Sequence, residues 1–75
     1  MKIYHVETQQ SYDELMNELE EKGHKWLSGR KPTSKNYWRS YNKNTCIVIS
    51  GKDITFGPFE RSKNQYPNIP VIEYK

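Results

Sequence analysis

A chain of 75 residues has room for one domain, 1–75, and one thin core, since a chain this short buries only ~60% of the surface its unfolded form exposes. Hydrophobic residues make up 33% and charged residues 28%, yet six Tyr, two Trp and two Phe offer large buried areas, which excludes a disordered chain. One cysteine excludes an internal disulfide framework; no charged-then-apolar leader opens the chain and no apolar run approaches ~18 residues, so the expectation is a cytoplasmic protein with neither signal peptide nor membrane span.

Lys2 to Thr8 carries Ile3, Tyr4 and Val6 without a helical period and reads as a strand. Tyr12, Leu15, Met16 and Leu19 then recur at i, i+3, i+4 and i+7, the apolar stripe of an amphipathic helix. Ser11 followed by Glu14 predicts a capping box, and Gly23 predicts a left-handed stop, so the helix is expected over Ser11 to Lys22. A short strand is expected around Trp26, between His24 and Leu27, followed by a polar connection through Gly29 and Pro32.

Tyr37 to Tyr41 and Thr45 to Ser50 read as strands joined by Asn42, Lys43 and Asn44. The run Cys46-Ile47-Val48-Ile49 is the most apolar and predicts the central strand. Gly51-Lys52 fits a type II′ hairpin turn returning through Asp53 to Phe56. Phe59, Lys63 and Tyr66 fit a turn or two of helix that Pro67 must stop, and Val71 to Tyr74 ends the chain as an edge strand or a partner of the first. The pattern predicts an α+β fold: a small, mainly antiparallel sheet of about five strands, order β-α-β-β-β-β, with one amphipathic helix packed on one face.

Charge is unevenly placed. Met1 to Glu21 holds Lys2 against six acids, Lys22 to Lys52 holds eight bases and no acid, and the remainder balances within the total of +3. Lys25, Arg30, Lys31, Lys35 and Arg39 are interleaved with Trp26 and Trp38, the combination by which single-strand binders track phosphates and stack bases. The plainer reading turns those rings into the core and leaves the bases solvated. No RNA or DNA motif of recognised spacing accompanies them. Glu14, Glu18 and Glu21 form an exposed helical ridge, either a solvated face or a phosphate-like surface for a basic groove of a nucleic-acid-binding protein.

Catalytic chemistry finds no footing. Cys46 opens the most apolar run, where a thiol is inert. His5, His24 and Cys46 lack metal-ligand spacing, Gly29-Arg30-Lys31 leaves a helix instead of entering one, and the helix carboxylates have nothing apolar around them to raise a pKa. No catalytic residue, metal or cofactor is expected.

The strings Tyr12-Asp13-Glu14-Leu15-Met16, Glu20-Glu21-Lys22-Gly23, Lys25-Trp26, Ser28-Gly29 and Lys31-Pro32-Thr33 resemble a group of small uncharacterised proteins of temperate phages and prophages of Gram-positive bacteria. Asn44-Thr45-Cys46-Ile47, Ile54-Thr55-Phe56 and the tail from Tyr66 to Tyr74 extend the resemblance over nearly the whole chain. It implies a phage accessory protein in a bacterial host cytoplasm and brings no activity or site residues. The expectation is therefore a non-enzymatic protein that binds a host or phage macromolecule stoichiometrically, inhibiting a host nucleic-acid or defence enzyme. The alternative is a small single-stranded nucleic-acid-binding protein. So small a core also leaves room for stabilisation as a homodimer.

Overall fold

A computed structural model describes residues 1–74. The strands are β1 (Lys2–Val6), β2 (Lys25–Trp26), β3 (Thr45–Ser50), β4 (Asp53–Pro58) and β5 (Val71–Glu73), and the helices are α1 (Gln9–Glu21), α2 (Trp38–Tyr41) and α3 (Phe59–Gln65). Short 3₁₀ turns at Pro32–Ser34 and Asn42–Asn44 complete the chain. The sheet order is β2-β4-β3-β1-β5. No helix among the described residues is long and apolar enough to cross a membrane.

The α+β class and the five strands agree with the sequence, and the apolar run at 46–49 does form the central strand, β3. The mainly antiparallel sheet is only partly right: its two longest pairings are antiparallel, and its two short outer ones are parallel. β3 is antiparallel to β1 and β4, but β5 lies parallel to β1 and β2 lies parallel to β4, so β3 alone runs against the other four. The single helix on one face is corrected too. The chain crosses the sheet from β1 to β2 through α1, and back the other way from β4 to β5 through α3. Crossovers of one hand that travel in opposite directions must lie on opposite faces. Accordingly α1 covers one face and α3 the other.

On the α1 face, Val6, Tyr12, Leu15, Met16, Leu19, Trp26, Ile47, Ile49 and Ile54 form the principal core. The smaller core opposite contains Ile3, Cys46 and Val48, with Phe59, Tyr66, Ile69 and Val71 half-buried or better against it. Strand alternation explains the split, since Cys46 and Val48 point one way and Ile47 and Ile49 the other.

Helix α1 begins two residues before the predicted start. Thr8 is its cap, its Oγ1 accepting the Ser11 amide at 3.0 Å, so the Ser11–Glu14 capping box does not form. At the other end the Gly23 amide reaches the Glu20 carbonyl (3.1 Å) and the His24 amide the Leu19 carbonyl (3.0 Å), the Schellman pattern, with Gly23 at φ +83°. The strand expected at Tyr37–Tyr41 is instead α2, which runs on into the 3₁₀ turn at Asn42–Asn44. Both sides of β3 are taken by β1 and β4, so a 37–41 strand has no free edge of β3 to join. Asn42, at φ +51°, turns the chain into β3. The expected hairpin forms at Gly51-Lys52, with Gly51 at φ +61°.

Candidate binding surfaces

The aromatic rings of the basic middle segment hold the connection between β2 and β3 in place. Trp26 is buried under α1 and donates its indole N–H to the Pro32 carbonyl at 3.2 Å. Trp38, half-buried, donates to the Val6 carbonyl at 3.1 Å. From the helix, the Tyr12 hydroxyl donates to the Lys35 carbonyl (2.9 Å) and accepts the Tyr37 amide (3.0 Å). Burial pushes this phenol up to about 12. Tyr37 stacks on Phe56 with centroids 4.2 Å apart, and Trp26 meets Tyr37 edge-on at 4.7 Å.

The basic and aromatic surface read from the sequence therefore separates into two parts. Trp26 and Trp38 face inward as anchors. Lys25, Arg30, Lys31, Lys35 and Arg39 are exposed, and none forms an ion pair among the described residues. Stacking on bases is closed to Trp26, whereas phosphate contact remains open to the five cations.

The acids of α1 divide between its two flanks. Glu20 turns toward the Pro32–Ser34 turn and accepts the Thr33 hydroxyl at 2.6 Å, which holds its carboxyl below the usual range. Glu14 and Glu18 lie on the opposite flank beside Tyr74, whose phenol is raised by burial first and then by these two carboxylates. Glu14 and Glu21 are exposed, and Glu18, half-buried, meets Lys22 at 3.9 Å and the Tyr74 hydroxyl. The ridge thus keeps Glu14 and Glu21 in solvent, as the helical period requires, with Glu18 between them partly covered. Glu7 and Glu73 line the same recess as Glu14, next to β5, so the β5 edge of the molecule is acidic. The exposed cation Lys25 marks the opposite edge, β2.

The α3 face holds a cluster that no local pattern announces. Strand register sets His5 opposite Cys46 on one side and opposite Glu73 on the other. His5 Nδ1 lies 2.7 and 2.9 Å from the two Glu73 carboxylate oxygens, and Nε2 is hydrogen-bonded to the Lys43 carbonyl. The sequence placed no imidazole near Cys46, yet the fold does. The thiol is nevertheless fully buried and pushed up to about 11, by desolvation first and then by Glu73, against a hydrogen bond with Ser62 that pulls it down. Such a thiol is not a nucleophile at neutral pH.

No family model, curated protein or solved structure matches this chain. The functional reading therefore rests on its own surfaces. His5 and Glu73 are 68 residues apart, and only the parallel pairing of β5 with β1 joins them. The one sequence signal that bears on them is the expectation that the last strand pairs with the first.

Proposed function

We propose that this chain is a non-enzymatic phage accessory protein that binds one macromolecular partner stoichiometrically. The docking element is the acidic ridge Glu14, Glu18 and Glu21 of α1. The partner is a host or phage protein with a basic, nucleic-acid-handling surface, a host nucleic-acid or defence enzyme that this contact inhibits. The observation that carries the reading is the contrast in how the two charged regions use their side chains. The rings of the basic segment are committed to anchoring, while Glu14 and Glu21 are exposed without an ion pair among the described residues and Glu18 between them meets Lys22 at 3.9 Å and the Tyr74 hydroxyl. Carboxylates spaced along a rigid helix present fixed negative charge to a cationic groove, a complementarity that sets partner choice and association rate.

Affinity capture from host lysate, with and without nuclease, tests this. One protein should be retained after nuclease treatment and lost when Glu14, Glu18 and Glu21 are all replaced by Lys. Repeated capture of no stable partner, or capture indifferent to the triple replacement, overturns the reading.

The exposure of five cations without an ion pair among the described residues favours a second reading, single-stranded nucleic-acid binding through Lys25, Arg30, Lys31, Lys35 and Arg39. It requires salt-dependent gel shifts weakened by Arg39→Ala. Silence at low ionic strength eliminates it.

A further inference from the structure

The His5 cluster holds two acceptors against one imidazole. The Lys43 carbonyl can only accept, so Nε2 carries a proton. Nδ1 faces both oxygens of Glu73, also acceptors when ionised. A neutral ring has one N–H, already directed at Lys43, so a positive centre must stand between Nδ1 and the carboxylate. The 2.7 Å separation is that of a hydrogen-bonded pair, so a shared proton fills the gap in the metal-free chain and a metal ion would displace it. The third group of the cluster favours that exchange. The donor atoms of His5, Glu7 and Glu73 all lie within 4.8 Å of one another, and Glu7 forms no ion pair among the described residues. A proton shared between one nitrogen and one carboxylate has no use for a second carboxylate, whereas a metal ion does.

We propose that His5, Glu7 and Glu73 form a binding site for one divalent transition-metal ion of the zinc type. One imidazole nitrogen and two carboxylates are a borderline donor set of the kind such ions take. The ring is already oriented as a ligand, with its far N–H fixed by a backbone carbonyl, the support metal-bound histidines have. Behind it stands the Phe59 ring, edge-on at 5.1 Å, so His5 cannot swing away. His5 and Glu73 are held by strand register, and the Tyr74 amide donates to the His5 carbonyl at 3.0 Å.

Zinc bonds of about 2.0–2.2 Å set tetrahedral donors roughly 3.3 Å apart. Binding would therefore open the 2.7 Å contact between His5 and Glu73 to that spacing, exposed Glu7 would rotate in, and the solvent side leaves the remaining coordination position to water. The ion would tie β5 to β1 across nearly the whole chain and offset negative charge at the β5 edge. This departs from the sequence expectation, which weighed His5 only with His24 and Cys46.

The experiment is calorimetric titration of the full chain with zinc after chelator treatment, joined to thermal unfolding with zinc or with EDTA. One ion should bind per chain, and the melting temperature should rise with zinc and fall back with EDTA. Glu7→Gln, at an exposed position, should keep the circular dichroism spectrum and the metal-free melting temperature while weakening zinc binding about tenfold or more. Glu73→Gln should weaken it at least as much, and His24→Gln should leave it unchanged. Absence of saturable one-to-one binding overturns the proposal, as does affinity unaltered by Glu7→Gln or lost in His24→Gln. These readouts require no macromolecular partner, so they stand or fall separately from the docking reading.

Discussion

The two faces of the sheet differ in what they bury. Under α1 the core is large and mostly apolar, and the polar tips of Tyr12, Trp26 and Thr45 on that face fasten the connection above. Under α3 the core is small, and between Ile3, Val48 and Phe59 it keeps His5, Cys46 and Ser62. The contrast teaches a division of labour. A thirteen-residue helix brings four buried side chains to one face and makes it the source of stability. The seven-residue α3 cannot cover as much, and the smaller core beneath it keeps three buried polar or titratable side chains, His5, Cys46 and Ser62.

The sharpest way to break this comparison is truncation on each side. Leu15→Ala should cost about 2–5 kcal/mol in urea unfolding, as deletion of a fully buried leucine does. Val48→Ala on the α3 face should cost about 1–2 kcal/mol, the transfer of two methyl groups. Equal losses would erase the distinction. Tyr12→Phe should come next, at about 1–3 kcal/mol, because it leaves the Lys35 carbonyl and Tyr37 amide without their partner. Amide exchange should then quicken at Tyr37 while β3 stays protected. Thr8→Ala removes the α1 cap and should cost about 1 kcal/mol, read by thermal unfolding.

The smallest effect at neutral pH concerns the thiol. Cys46 is raised from its ordinary 9.0 to about 11 in the native fold, so the unfolded chain releases this proton first as pH rises. The stability it contributes is intact below pH 9 and is lost progressively as pH climbs toward 11. Tyr12 adds a loss of the same sign between 10 and about 12. Cys46→Ala should flatten the first part of that decline. Alkylation of Cys46 at pH 8 should be slow in the native protein and fast in urea.

Much of the candidate docking surface was legible in advance, and the reason is local. Helical period alone aligns Glu14, Glu18 and Glu21, whatever lies beneath the helix. The opposite held for the basic segment. Whether Trp26 and Trp38 stack on a ligand or pack inward depends on carbonyls at Pro32 and Val6 that meet them only after folding. The His5 cluster was invisible for the same reason, since its members come from opposite ends of the chain.

By itself, then, the sequence determined the elements whose causes are contained within a few residues. These are the apolar stripe of α1, its stop at Gly23, the central strand at 46–49 and the turn at Gly51-Lys52. Tertiary structure decided strand direction and partner, and with them the second covered face, the helical fate of 38–41 and the meeting of His5 with Glu73. Crossover hand and the number of free sheet edges are properties of the assembled sheet, and neither is written in a window of neighbouring residues.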